Sequence, residues 1–161
     1  MKYRAQFPYQ TPAGFRDEYA EYYFDEISVP ALKVNLTAGQ ILANIPLVIA
    51  NSQTGTFSQE FHLRGMQIGL LSGSDNVLPF GIRLRDAVGN YLSNDFVPVA
   101  FFEGLNNSAA THGALPGVVF EPELVFPTGG IFLIDLANLS TLTASVNPFP
   151  ITLKGVHRYA L

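Results

Sequence analysis

The chain has 161 residues, a length typical of one domain with a substantial hydrophobic core. It contains no cysteine, which excludes a disulfide scaffold and thiolate metal sites. Charged residues make up only 14% of the chain, against about 25% in an average soluble domain, and the net charge is −4. No lysine and arginine cluster suits a nucleic acid, and no apolar run reaches the roughly 18 residues of a membrane-spanning helix. The composition thus predicts neither a nucleic-acid partner nor a membrane partner.

Apolar residues are abundant relative to charge. Hydrophobic residues make up 48% of the chain, which holds 13 phenylalanines and 7 tyrosines. One small core does not bury this much apolar area, so part of it is expected to be buried between subunits. The composition therefore predicts a homo-oligomer. The N-terminus, MKYRAQFPYQ, lacks the apolar segment of a secretion signal, which favours synthesis in the cytoplasm.

The first 24 residues are rich in aromatic side chains and interrupted by Pro8, Pro12 and Gly14. Such a segment is unsuited to a long helix or a central strand, so residues 1–24 are predicted to be an extended arm. The arm either laces into a neighbouring subunit or wraps over its own domain. Its predicted partner-binding residues are Phe7, Tyr9, Phe15, Tyr19, Tyr22 and Tyr23.

The first predicted strands follow the arm. Residues 25–36 alternate apolar and polar side chains once their proline occupies a bulge or an edge position. Residues 41–50 form a second apolar run, which Pro46 marks as an edge or bent strand. Residues 56–71 predict a long, bent strand with a bulge or close backbone approach near Gly65.

Residues 80–86, FGIRLRD, alternate cleanly between two faces. Arg83 and Arg85 share the polar face and are predicted to contact acidic residues of a partner, although ordinary solvent exposure is the simpler alternative. The following turn predicts Gly89 in a left-handed conformation, with Tyr91 returning antiparallel to the arginine strand.

The second half of the chain predicts four further elements. A strand at 96–103 is followed by a weakly patterned surface loop at 104–117 and an edge strand at 118–126. The segment 126–140, FPTGGIFLIDLANLS, predicts a central strand, buried on both faces or nearly so and ended by turn chemistry at its Asp and Asn. Residues 151–159 close the fold.

About eight short strands, with turns at roughly ten-residue spacing, are typical of an antiparallel β-sandwich of jelly-roll type. The sequence therefore predicts an all-β chain, with the arm at 1–24 and a single sandwich domain at 25–161.

The sequence contains no convincing catalytic or metal-binding constellation. His62, His112 and His157 lie in separate segments without a carboxylate at ligand spacing. Glu121 and Glu123 share a strand face, as glycosidase carboxylates sometimes do, but flank a proline and are more typical of a solvated edge. We therefore expect a non-enzymatic protein without a catalytic site, cofactor or metal.

Three patterns together resemble a known group of proteins: VFPTGGIFLIDLANLS, ITLKGVHRY and, upstream, RLRDAVGNYLS. They are similar to small β-sandwich virion proteins of tailed bacteriophages, in particular head-decoration or cement proteins, over residues 80–159. The resemblance implies a structural protein of the capsid surface, often dimeric or trimeric, that bridges capsomers. Its implied partners are the major capsid protein or other virion proteins.

A second hypothesis is a carbohydrate- or receptor-binding sandwich of a phage tail, collar or fibre. Its site is expected in the loops at 72–76 and 104–117. An enzyme of cupin type is disfavoured, because the clustered His and Glu ligands of such barrels are missing from the sequence.

Overall fold

The computed structural model describes residues 11–33, 35–49, 60–69, 80–86, 88–102, 117–127, 129–145 and 150–160. These residues form ten β-strands and two short 3-10 helices. The strands are β1 (Phe15–Phe24), β2 (Asn35–Leu36), β3 (Ile41–Val48), β4 (Glu60–Ile68), β5 (Phe80–Leu84), β6 (Val97–Pro98), β7 (Val118–Pro127), β8 (Ile131–Asn138), β9 (Ala144–Ser145) and β10 (Ile151–Ala160). In the described part of the chain, no helix is long and apolar enough to cross a bilayer.

Eight of these strands form two four-stranded antiparallel sheets. Sheet I has the order β1-β10-β4-β7, and sheet II has the order β3-β8-β5-β6. The hydrogen-bonded pairs are nested along the chain, with β5–β6 innermost, then β4–β7 and β3–β8, and β1–β10 outermost. This is jelly-roll connectivity, in which one long hairpin is wound so that its strands are shared between two sheets. The predicted antiparallel sandwich is thus confirmed.

The core lies between the two sheets and consists of the alternate side chains that face inward. Phe126 of sheet I and Phe132 of sheet II meet edge to face, with ring centroids 5.4 Å apart. Both rings are completely buried, as are Leu63 and Ile82. Apolar burial of this kind is the main source of stability for a sandwich.

The predicted arm boundary at residue 24 requires correction, because sheet I already begins at Phe15. β1 pairs with β10 in a continuous register from Phe15 opposite Ala160 to Phe24 opposite Ile151. Ala20, Tyr22 and Phe24 pack on the core, so this half of the predicted arm belongs to the domain. Because aromatic residues lie on both faces of β1, the sequence shows no alternation of apolar and polar side chains there.

Residues 25–36 were predicted as a strand, and this prediction is wrong over most of the segment. The Asp25 side chain accepts hydrogen bonds from the backbone N–H groups of Ile27 and Ser28, at 3.1 and 2.9 Å, which turns the chain. A 3-10 helix, Pro30–Leu32, follows before the two-residue strand β2. Local turn chemistry therefore outweighs the apparent alternation.

The strand predicted at 96–103 is also shorter than expected. β6 contains only Val97 and Pro98, and residues Val99–Phe102 form a 3-10 helix. Val99 and Phe102 are buried while Phe101 is exposed. The spacing of three between the buried residues matches a 3-10 turn and not the period of a strand.

Asn138 ends the central strand β8 and joins the loops beside it. Its side-chain amide donates hydrogen bonds to the carbonyls of Leu36, Thr37 and Leu142, at 2.9, 3.2 and 2.7 Å. Its side-chain oxygen accepts a bond from the Ser140 amide at 2.9 Å. The turn chemistry predicted at this asparagine is confirmed, whereas Asp135, predicted to share it, lies inside the strand.

Two bulges bend sheet I around its glycines. The register between β4 and β7 shifts between Leu63 and Gly65, as predicted, and the register between β4 and β10 shifts at Lys154 and Gly155. A Cβ atom on Gly155 would lie 2.2 Å from the backbone carbonyl oxygen of His62. Only glycine permits this close approach of the two strands. The left-handed conformation predicted at Gly89 is also confirmed, with φ of 92°.

Candidate partner-binding surface

The outer face of sheet I carries a row of exposed aromatic side chains on β1. Phe15, Tyr19 and Tyr23 lie four residues apart and therefore on one face of the strand. Their exposed fractions are 43%, 42% and 61%. We call these three residues the aromatic row. It lies along the edge of sheet I, because β1 is the terminal strand of that sheet.

A network of buried ion pairs lies beside the aromatic row on the same face. Asp17 of β1 accepts two hydrogen bonds from Arg158 of β10, at 2.8 and 2.9 Å, and one from Arg64 of β4, at 3.1 Å. Glu123 of β7 accepts bonds from Arg64 at 2.9 Å and Arg158 at 3.3 Å. Two carboxylates and two guanidinium groups thus connect all four strands of sheet I.

These contacts keep both carboxyl groups ionised. Burial disfavours the charge on Asp17, but the hydrogen bond and charge of Arg158 prevail and hold the pKa of Asp17 below its usual range. Burial likewise opposes ionisation of Glu123, whose pKa is lowered by the hydrogen bonds of Arg64 and His62. The network therefore attaches the edge strand β1 firmly to the rest of the sheet.

His62 extends the network on β4. Its Nδ1 atom lies 2.7 Å from a Glu123 carboxylate oxygen, and its Nε2 atom lies 3.4 Å from Glu60. The Nε2 atom is buried and has no hydrogen-bond partner among the described residues. Glu123 is thus engaged with two arginines and a histidine, and the other predicted candidate, Glu121, is exposed.

Tyr22 does not belong to the aromatic row, although it was predicted with it. Its side chain points into the sandwich, where the hydroxyl lies 2.7 Å from Nε2 of His157 and the ring meets Phe61 edge to face. Burial lowers the pKa of His157 and raises that of Tyr22. This pair is part of the core and is not available to a partner.

Arg83 and Arg85 lie on the outer face of the other sheet and contact a carboxylate of their own chain. Asp135 of β8 accepts a bond from Arg85 at 2.9 Å, and a longer contact from Arg83 at 3.4 Å. The backbone N–H of Asn44, in a bulge of β3, donates a further bond to Asp135 at 2.8 Å. Burial raises the pKa of Asp135, but the hydrogen bonds from Asn44 and the two arginines lower it by more. The pKa of Asp135 therefore lies below its usual range.

Aromatic rings cover the same arginines. The Arg83 guanidinium stacks 3.7 Å from the centroid of Tyr91 and 4.8 Å from that of Phe96. Arg85 lies over Tyr91 at 4.6 Å and donates hydrogen bonds to the Tyr91 hydroxyl and to Asn44. Such stacking orients a guanidinium and shields it from solvent. The arginine pair thus orders the hairpin between β5 and β6.

A second apolar area lies on the outer face of sheet II. Pro46 and Val48 of β3 are opposite Leu133 and Ile131 of β8. Val48 and Ile131 are about half exposed. Ile131 belongs to the predicted central strand, so that strand is buried on its inner face but not along its whole outer face.

The structure therefore divides the predicted partner-binding residues into three groups. Phe15, Tyr19 and Tyr23 form one row, Tyr22 is internal, and the arginine pair lies on the opposite sheet. The remaining predicted positions lie outside the described residues: Phe7, Tyr9, His112, the loop at 72–76 and residues 104–116. The network around Asp17 was not predicted, because its members are far apart in the sequence.

Comparison of the chain with protein-family models and with curated proteins finds no match.

Proposed function

We propose that this chain is a structural, non-enzymatic virion protein, which stabilises a phage head as a capsid decoration or cement protein. The observation that carries the proposal is the aromatic row, three exposed rings on an edge strand that buried ion pairs hold in place. The proposal also draws on the resemblance of residues 80–159 to small virion sandwiches. Its partners are the major capsid protein or other virion proteins.

The aromatic row suits the attachment of a small protein to a large surface. Tyrosine brings a large, rigid contact area at low entropic cost, and its hydroxyl stays hydrated at the rim of an interface. Asp17 lies between Phe15 and Tyr19 on the same face and is neutralised by its own arginines. The row therefore meets a partner without an unpaired buried charge beside it.

A binding assay with capsids tests the proposal. Heads assembled without this chain are mixed with the purified full-length protein, and occupancy is measured by sedimentation and by electron microscopy. Tyr23→Ala is expected to weaken attachment by about 1–3 kcal/mol, which is roughly 5- to 150-fold in affinity. Phe101→Ala is the matched control, because Phe101 is an exposed aromatic residue of the 3-10 helix that follows β6 and lies outside the aromatic row.

The binding assay distinguishes the role of the aromatic row from the proposed function as a whole. Full attachment of the Tyr23 variant would refute a role for the aromatic row. Failure of the unmodified protein to bind heads would refute the proposed function itself. Circular dichroism of each variant establishes that a loss of binding does not reflect a loss of folding.

Binding of glycans or receptors is the alternative function. Met66, near the end of β4, pairs with Val118 at the start of β7. The connection that follows β4 therefore begins at the same end of sheet I at which the connection before β7 ends. Jelly-roll folds include lectin domains as well as capsid proteins. A glycan-array screen of the intact protein tests this alternative, and specific binding there without attachment to heads would favour it.

A further inference from the structure

The four edge strands of the two sheets differ in how they are protected from further pairing. β3 contains Pro46 and a bulge in which Asn44 has φ of 62°, and β6 is only two residues long. β7 contains Pro122, and the register between β7 and β4 is interrupted beside it. Prolines, bulges and shortness are the usual means by which proteins prevent edge strands from adding another strand.

β1 has none of these three features. It runs for ten residues without proline or glycine, and its register with β10 contains no shift. Among the described residues, no strand pairs with its other side. Alternate N–H and C=O groups along that side therefore point away from the sheet, at spacings that match an added antiparallel strand.

We propose that the free edge of β1 pairs with β1 of a second copy of this chain, antiparallel, about a two-fold axis at Ala20. The two four-stranded sheets then join into one sheet of eight strands. Ala20 lies opposite Ala20 of the second copy, where its small side chain allows close approach at the axis. The proposal concerns contacts between copies and does not rest on the proposed attachment to a capsid.

The register follows from the charges of β1. With Ala20 at the axis, every acidic residue of the strand lies opposite a tyrosine of the second copy, and like charges never lie opposite each other. The three kinds of pair are Asp17 with Tyr23, Glu18 with Tyr22, and Glu21 with Tyr19. Asp17 keeps its own arginines and Tyr22 keeps His157, so the register follows from the avoidance of like charges and not from new hydrogen bonds at these two pairs.

Neighbouring registers place acids against acids. An axis at Tyr19 sets Asp17 opposite Glu21, and an axis at Glu18 or at Glu21 sets that residue opposite itself. Like charges directly opposite in a sheet are destabilising. A continuous eight-stranded sheet requires that the outer faces of both copies lie on the same side, so residues of β1 with odd numbers lie opposite residues with odd numbers.

One tyrosine–carboxylate pair already exists on the outer face of β1 within a single chain. The Tyr19 hydroxyl donates a hydrogen bond to Glu21 of the same strand. In the dimer, Tyr19 of one copy and Glu21 of the other lie directly opposite, so the single hydroxyl proton of Tyr19 has a carboxylate acceptor either within its own strand or in the second copy. Aromatic and polar contacts thus reinforce the backbone pairing on this face.

Cysteine crosslinking tests the interface, since the natural chain contains no cysteine. In Ala20→Cys, the two cysteines lie opposite each other with Cα atoms about 4.5–5.5 Å apart, within disulfide range. In the control Glu18→Cys, they are four residues out of register, which is about 13 Å along the strand. Mild oxidation is therefore expected to convert most of the first variant to a crosslinked dimer and little of the control.

A mixture of the Tyr19→Cys and Glu21→Cys proteins tests the same register with residues of the outer face. This test remains valid even if Ala20→Cys folds poorly. The mixture is expected to give the mixed dimer in excess over either self-crosslinked product. Equal crosslinking of Glu18→Cys and Ala20→Cys, or an absence of the mixed dimer, would overturn the proposed register.

Sedimentation and hydrogen exchange of the unmodified, full-length protein complete the test. A dimer at micromolar concentration is expected, with protection of β1 amides that rises with protein concentration. A monomer would overturn the proposal, and so would outward-facing β1 amides whose protection does not depend on protein concentration. A dimer that fails to bind heads would support this inference while refuting the proposed function, and a monomer that binds heads would do the reverse.

Discussion

Asp17→Asn is the most informative single change in the network of sheet I. The substitution keeps the size and shape of the side chain and removes its negative charge. Arg64 and Arg158 then share Glu123 as their nearest carboxylate within the network, and an amide nitrogen replaces one acceptor oxygen of residue 17. The variant therefore tests whether charge, and not packing, holds the edge strand β1 against β10.

The magnitude follows from the burial of the groups involved. The Asp17 side chain is 7% exposed, and it accepts hydrogen bonds from Arg158 at 2.8 and 2.9 Å and from Arg64 at 3.1 Å. Removing one partner of a fully buried ion pair costs about 3–5 kcal/mol. Because Arg158 keeps some contact with solvent and Glu123 remains, we expect a loss of about 3 kcal/mol. For a domain of this size, that loss lowers the midpoint of thermal unfolding by roughly 6–12 °C.

Urea denaturation measures the effect as a shift of the midpoint at a constant slope. Glu18→Gln is the matched control on the same strand, since its carboxylate pairs with Arg16 in an exposed position. Exposed pairs contribute little, so the control is expected to change stability by less than about 0.5 kcal/mol. If Asp17→Asn costs no more than this control, the network does not hold β1 in the sheet and our reasoning is wrong.

The same variant also changes the response to acid. Asp17 and Glu123 have folded-state pKa values below those of the unfolded chain. Their contribution is therefore fully present above the unfolded pKa values, near 4, and is lost as the pH falls through the lowered folded values. The unmodified protein is expected to lose stability steeply below about pH 4, and Asp17→Asn is expected to lose less over that interval.

Three further predictions concern the core and its loops. Gly155→Ala should cost at least about 2 kcal/mol in urea denaturation, because the new Cβ meets a backbone oxygen at 2.2 Å, whereas Gly69→Ala meets only a proline side chain at 3.1 Å and should cost less. Asn138→Ala removes the amide that links the carbonyls of Leu36, Thr37 and Leu142 and should cost about 2 kcal/mol, because the Thr37 and Leu142 carbonyls keep second donors in Gln40 and Ser140; a loss below about 0.5 kcal/mol would contradict its role in joining the loops. His157 has a folded-state pKa below 6.5, so stability should fall as the pH drops below about 6.5 toward that value, and His157→Gln should remove this dependence.

Local sequence was sufficient where one face of a strand is buried and the turns have a clear signature. The runs at 41–50, 80–86, 118–126 and 151–159 each became a strand close to the predicted bounds. The Asp86 turn also formed as predicted, with the Asp86 carboxylate accepting hydrogen bonds from the turn amides. In these segments the alternation of side chains and the turn residues favour the same structure, so no distant contact was needed to predict it.

Local sequence was insufficient where a segment depends on partners far along the chain. β1 is a strand because β10 pairs with it, and Asp17 is buried because Arg158, 141 residues away, neutralises its charge. The contact between the arginine pair of β5 and Asp135, about 50 residues later, was not predicted, because Asp135 was predicted to be a turn residue. A carboxylate inside an apolar run has no local signal for burial, since burial becomes favourable only when a neighbouring strand brings a guanidinium within hydrogen-bond distance. The sequence by itself thus determined the sandwich and most of its strands, and only the tertiary structure decided which charges pair within the chain and which aromatic side chains remain on its surface.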